Sequence, residues 1–277
     1  MIRYKKIALA STFSPRFLPL LAEAWRIVQK LECEFSIIHA GEENEENRQR
    51  FATAFSELSI SPPPQIHWAK GGPANAIVDA IKDQRIDLLI AGALETETAG
   101  RHYVGNVART LLRDAPCSLL LFVKPSRDAQ PFRQIVAITD FSGLSATSLE
   151  HTYFLAEHNG AEMIRIVRIF TIFAQAREQP DQFFGKGDAG KSMHAAEERR
   201  IEEFAAAVGP SPIPMEAVCV EGTTGFAASD YVQAVEADLL VIPSQPPGTP
   251  QLLPDGMDWV FNVIPSNLYI VRDGGLR

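Results

Sequence analysis

The chain has 277 residues, of which 46% are hydrophobic, 22% charged and 9% aromatic; these are the proportions of a globular protein, not of a disordered or fibrous one. Lys plus Arg is 26 and Asp plus Glu is 34, a net charge of −8, which disfavours a surface built to grip nucleic acid or anionic lipid. Cysteines at positions 33, 117 and 219 have neither disulfide-framework nor zinc spacing, so a reducing compartment is expected.

Taken in chain order, Met1 to Ile7 lead straight into a strand-like segment without an apolar signal core. No apolar run approaches the ~20 residues needed to cross a bilayer. The chain therefore reads as soluble and cytoplasmic. Predicted strands of the first half are Lys6–Ala10, Glu34–His39, Gln65–Ala69, Asp87–Ala91 and Ser118–Val123. Helices are expected over Pro15–Leu31, Asn44–Leu58, Pro73–Gln84 and Asn106–Arg113, with Pro15 and Pro73 where a first turn tolerates a missing N–H. Asp87–Ala91 is apolar on successive residues, the mark of a strand buried on both faces. Glu42 to Glu46 reads as a solvated helix start, and Cys117 as a buried core residue. In the second half, strands are predicted over Gln134–Thr139, Glu162–Ile169, Met215–Val220, Asp238–Ile242 and Asn267–Val271, with a helix over Met193–Val208. Strands alternating with helices predict an α/β fold, a parallel sheet covered on both faces with right-handed crossovers.

The chain also repeats itself. Ile7–Ser14 aligns with Ile135–Ser142 at an offset of 128, Asp87–Ala91 with Asp238–Ile242 at 151, and Pro116–Leu120 with Pro265–Tyr269 at 149. The growth of the offset from 128 to 151 places an insertion of about 23 residues in the second copy, between Phe170 and Ala195. Two tandem domains follow, 1–125 and 132–277, joined through Pro125 to Pro131. Doubly wound sheets bind ligands beyond the carboxyl ends of their strands, so the loops after the first and fourth strands of each copy are the places to inspect.

In these features the sequence resembles the universal stress protein family, in its tandem form. The resemblance rests on an apolar first strand after Lys5-Lys6, an Asp-Leu-Leu fourth strand at Asp87 and again at Asp238, a glycine-containing loop from Gly92 to Asn106 ahead of a short helix, and Asp114-Ala-Pro-Cys117 before a final apolar strand. It implies two doubly wound domains, each a five-stranded parallel sheet ordered 3-2-1-4-5 and flanked by four helices. It also implies an intramolecular pseudo-dimer through the last strands, Ser118–Val123 and Asn267–Val271, and leaves a homodimer and an unidentified protein partner open.

Family members that bind ATP carry an acidic residue after the first strand and a loop of Gly, two residues, Gly, nine residues, Gly, then Ser or Thr. Bare backbone amides and a helix N-terminus would hold phosphate there. In the first copy the candidate nucleotide residues are Ser11, Thr12, Gly92, Gly100, Gly105 and Asn106. Glu95 stands where the middle glycine belongs, adding a side chain and a negative charge. Asn106 replaces Ser or Thr as a good N-cap, and Thr12 replaces the carboxylate. Arg101 and His102 lie in the same loop as compensating groups. In the second copy the candidates are Thr139, Asp140 and Ser142; Asp140 restores the carboxylate, or else serves as an N-cap for a helix beginning near Leu144, or as a turn residue. Its phosphate loop, Pro243 to Gly256, includes Pro243, Pro246, Pro247 and Pro250, none with an N–H to offer.

Inside the insertion, Gly185 to Ser192 matches the P-loop pattern G-x-x-x-x-G-K-[ST], with Gly185, Gly190, Lys191 and Ser192 as its key residues. A P-loop needs a buried strand running directly into it, and Gln175 to Gln182 is polar and contains Pro180. No nucleophile elbow, kinase signature or zinc-hydrolase motif occurs, and the six histidines show no metal spacing. No catalytic or metal-ligating residue is therefore assigned. The sequence reads as a non-enzymatic stress-response binding module with degenerate nucleotide sites, no required cofactor, and ATP with magnesium as the ligand to test. The rival is a slow ATPase using the Gly92–Asn106 loop or the Gly185–Ser192 segment.

Overall fold

The computed structural model describes residues 4–98, 101–170, 189–222 and 226–272. The first half runs β1 (Lys6–Ser11), α1 (Phe17–Leu31), β2 (Glu34–Ala40), α2 (Glu45–Glu57), β3 (Gln65–Ala69), α3 (Pro73–Gln84), β4 (Leu88–Gly92), β5 (Leu94–Thr98), β6 (Arg101–Val104), α4 (Asn106–Asp114) and β7 (Ser118–Phe122). The second runs β8 (Gln134–Ile138), α5 (Gly143–Asn159), β9 (Met163–Phe170), α6 (Ala189–Val208), β10 (Met215–Glu221), α7 (Phe226–Ala234), β11 (Leu239–Ser244), a 3-10 turn (Asp258–Phe261), β12 (Val263–Ile264) and β13 (Asn267–Arg272). Boundaries follow the local chemistry. Asn44 caps α2, its Oδ1 accepting the Asn47 amide at 2.8 Å, and Glu45 and Glu46 fill the first turn, where carboxylates suit the dipole. Pro73 opens α3, and Gly160 closes α5 at φ 73°, a left-handed position that suits a residue without Cβ. Pro15 stays outside α1, whose N-cap is Arg16.

Ten strands form one sheet in the order β10-β9-β8-β11-β13-β7-β4-β1-β2-β3. Each half contributes five parallel strands in the order 3-2-1-4-5, giving two tandem doubly wound units, and β7 pairs antiparallel with β13 through Leu119–Ile270, Leu120–Tyr269 and Leu121–Leu268. The second half differs from expectation in its fourth helix. Where the first half has α4, it has only the four-residue 3-10 turn, after which Val263 and Ile264 pair with β6 as β12.

Both halves use the repeated aspartate in the same way. Asp87 accepts the amides of Lys5 and Lys6 at 2.8 and 2.9 Å, and Asp238 accepts that of Gln134 at 2.8 Å. Each carboxylate thus pins the start of the fourth strand to the start of the first. A buried polar seam also crosses the halves. The Tyr4 hydroxyl lies 2.6 Å from His151 Nδ1 and against the Tyr269 hydroxyl, and all three residues are at most 3% exposed. Burial pushes the Tyr269 phenol pKa well above its ordinary value.

Arg272, at the end of β13, is 3% exposed and reaches into the first half. Its guanidinium donates to the Leu112 and Ala115 carbonyls at the end of α4 and to Ser244 Oγ at 3.2 Å, while its amide donates to Ser118 Oγ. Burial lowers this guanidinium to about 10. A cation at a helix C-terminus satisfies carbonyls that have no partner within the helix. Cys117 lies in the same core, its thiol pushed up to about 12 by burial.

Candidate functional site

At the carboxyl ends of β1 and β4, where the strand order of the first half reverses, the backbone leaves a cleft of about 240 Å³. Ser11, Thr12, Gly92, Gly105 and Asn106 all line it; Gly100 falls outside the described residues. Ser11 is 2% exposed and its Oγ has no hydrogen-bond partner. Thr12 is exposed on the turn after β1. That turn is held by an aromatic cluster: Phe13 packs against His39 at 4.6 Å and Phe51 at 4.7 Å, with the Arg50 guanidinium 4.0 Å above the Phe13 ring. Burial lowers the His39 pKa, and a hydrogen bond to the Ser11 backbone works against that shift.

The segment between Gly92 and Asn106 departs from the sequence reading. It is an antiparallel hairpin, β5 on β6, whose outer strand β6 pairs with β12 of the second half. Amides at both ends of the segment are occupied. Ala93 donates to the Phe122 carbonyl, Gly105 to that of Ala93 and Val104 to that of Asn262, each at 2.9 Å. The N-cap of α4 is Gly105, so Asn106 is the first helical residue rather than the cap, and no side chain caps this end. What the loop offers a ligand is the first turn of α4, whose N–H groups have no partner within the helix. The flexible amide cradle has become a hydrogen-bonded hairpin, and Thr12 has no charge with which to hold a cation.

The second-half candidates also come together, but on one another. Thr139 Oγ1 accepts the Phe141 amide at 3.0 Å, and Asp140 Oδ1 accepts the Ser142 amide at 2.9 Å and the Ser145 hydroxyl at 2.6 Å. Ser142 Oγ accepts the Ser145 amide at 3.1 Å. The cap of α5 is thus Ser142, while Asp140 braces the turn ahead of it; the helix starts at Gly143, not with Asp140 as cap. Burial alone would raise the Asp140 carboxyl, but the hydrogen bonds from Ser142 and Ser145 and the Arg168 charge outweigh it and hold the pKa below its ordinary 3.8. Beyond β11 the chain closes on itself, with Gln245 N–H donating to the Leu252 carbonyl at 2.7 Å and Thr249 Oγ1 to the Pro246 carbonyl at 2.9 Å.

In the P-loop-like segment, Gly185 lies outside the described residues. Gly190, Lys191 and Ser192 lie inside α6, which has already begun at Ala189. The preceding described strand, β9, ends at Phe170, and residues 171–188, from which a P-loop would have to be fed, lie outside the described residues. Arg16 is the site residue that sequence reading missed. It lines the cleft beside Ser14 and forms the N-cap of α1 without a side-chain cap. A charged residue just ahead of the first-copy helix was its available signal.

Fold and cleft together define a tandem of two doubly wound α/β units with a switch-point cleft in the first. Residues 38–123, within the first half, match the model of the universal stress protein family. Solved structures extend the likeness of fold over both halves. A functionally unknown protein from Pseudomonas aeruginosa PAO1 is 16% identical at a TM-score of 0.69, covering 98% of this chain and 93% of its own. A universal stress protein from Archaeoglobus fulgidus DSM 4304 is 15% identical at a TM-score of 0.63, covering 98% and 99%. A universal stress protein in complex with cAMP spans 52% of this chain and 98% of its own, with 18% identity and a TM-score of 0.36. No curated protein matches. Among the described residues no helix is long and apolar enough to cross a membrane.

Proposed function

We propose that the protein is a non-enzymatic, cytoplasmic stress-response binding module whose ligand site is the first-half cleft, and that magnesium ATP binds weakly or not at all. The observation that carries this reading is the contrast at the two switch points. The first keeps a cleft with an unpartnered hydroxyl, whereas the corresponding groups of the second are hydrogen-bonded among themselves. No described group in either place supplies an activated nucleophile or a poised base, which is why binding rather than turnover is proposed. Possession of a family fold leaves the ligand to be decided by the site.

Isothermal calorimetry with ATP and magnesium on the wild type, Gly105→Asp and Lys191→Ala tests it, with phosphate release followed in parallel. The expected result is no saturable heat below millimolar ATP and no phosphate release. Micromolar binding lost in Gly105→Asp would overturn the proposal in favour of an ATP-loaded first domain. Binding lost only in Lys191→Ala would overturn it in favour of the P-loop segment.

A further inference from the structure

One wall of the first-half cleft is α4 and its cap, with Gly105, Asn106, Val107, Ala108 and Leu111 all lining it. Within its own half this helix packs on α3 and β7. Its ends are held from the second half. Just before the helix, the Val104 amide donates to the Asn262 carbonyl at 2.9 Å. One turn in, Arg109 Nε donates to the Phe261 carbonyl at 3.0 Å and its Nη2 to the Val104 carbonyl at 3.3 Å, so one guanidinium ties helix and hairpin to the 3-10 turn. At the far end the Leu112 and Ala115 carbonyls, which lie where a helix leaves acceptors without partners, are met by Arg272. Apolar packing crosses the same seam, for Ala108 and Leu111 share a buried cluster with Val260, Phe261 and Ile264.

The arrangement is one-sided. At the 149-residue offset of the repeat the counterpart of Arg272 is Val123, an apolar residue 3% exposed, and the second half has a 3-10 turn where a fourth helix would need holding. The segment that stands in for a helix in one half braces the matching helix of the other. We propose that the second half is a clamp on the cleft wall: the 257–264 segment and Arg272 fix α4 at both ends, and α4 leaves the cleft only together with that segment. The bearing of the clamp on ligand entry rests on the ligand-site reading above, while the clamp itself is a property of the free protein. Such an opening is a sub-global event, easier than complete unfolding. Because α4 and the 257–264 segment open as one unit, a substitution on either side changes the exchange of both.

Native-state hydrogen exchange on the full chain, without ligand, tests this in the wild type, Arg109→Met and Ile264→Val. The reporting amides are Arg109 and Ala115, which donate to the Gly105 and Leu111 carbonyls, and Val260, which donates to that of Met257. In the wild type all three should exchange at least tenfold faster than Leu9 and Ile90 in the central strands β1 and β4. Ile264→Val, made in the second half, should speed Arg109 and Ala115 about fivefold, and Arg109→Met, made in the first, should speed Val260 about tenfold. Ile264→Val deletes a single methylene, so it keeps the test readable if Arg109→Met fails to fold. Exchange of Arg109 and Ala115 unmoved by Ile264→Val, or of Val260 unmoved by a folded Arg109→Met, overturns the clamp, as does wild-type α4 exchange no faster than that of Leu9 and Ile90. Either failure leaves the ligand-site reading to the calorimetry above.

Discussion

The two halves share strand order and even the aspartate that pins the first strand to the fourth, yet their carboxyl ends have opposite chemistry. The second half kept the acidic residue after its first strand, and Asp140 is bonded to Ser142 and Ser145 in bracing a helix start. The first half has Thr12 there, leaves α1 without a side-chain cap, and retains the cleft. A carboxylate in the family position is therefore no guide to a ligand site unless its lone pairs face outward. Space and unpartnered donors are the better indicators.

The largest expected effect lies where one half serves the other. Arg272→Ala removes the donor shared by Leu112, Ala115 and Ser244, leaving buried acceptors unsatisfied, and should lower stability by about 3 kcal/mol in urea unfolding. A loss below about 1 kcal/mol would show that the halves do not depend on this cross-contact.

Next, Asp140→Ala should cost about 2 kcal/mol at pH 7, since charge-assisted hydrogen bonds are among the stronger ones. The sign follows from a folded carboxyl held below 3.8. Its stabilisation is complete above the unfolded pKa and is lost as pH falls through the lower folded value, so the gap between wild type and Asp140→Ala should close on acidification below pH 3.8. A gap that widens in acid would contradict the assignment.

In the first half, Thr12→Asp supplies the missing carboxylate and should raise magnesium ATP affinity about tenfold, or about 1.4 kcal/mol, at most, because the hairpin still occupies the loop amides. The smallest contrast concerns caps. Ser142→Ala should lose about 1 kcal/mol as an N-cap substitution, whereas Arg16→Ala, at a helix start with no side-chain cap, should change stability by less than about 0.5 kcal/mol. Equal losses at the two positions would remove the distinction between a braced and an open helix start.

Strand and helix order was legible because it depends on local periodicity, and the internal repeat checked each half against the other. Leu88 to Ala91 and Leu119 to Leu121 are buried on both faces, as their unbroken apolar runs indicate. The hairpin of Leu94–Thr98 and Arg101–Val104 was passed over because glycine spacing drew attention to a loop. Thr96, Thr98, Tyr103 and Val104, on either side of Ala99-Gly100 in the sequence, are nonetheless strand formers. Its pairing with Val263 and Ile264 was beyond reach, since partners some 160 positions apart leave no local trace. Arg272 is similar. A lone arginine ending the apolar run Leu268 to Val271 shows that something receives it, but not that the acceptors are Leu112 and Ala115. The bonding among Asp140, Ser142 and Ser145 was half visible, because a turn or capping role was open for Asp140 while the choice between ligand and backbone depends on geometry.

Amide chemical-shift mapping during titration with magnesium ATP tests most directly whether ligand enters only the first half. Any shifts at millimolar magnesium ATP should centre on residues 10–20, 91–93 and 105–111, which border the first-half cleft, with Thr139 to Ser145 unmoved. Saturable shifts across Thr139 to Ser145 would contradict a second switch point closed by its own side chains.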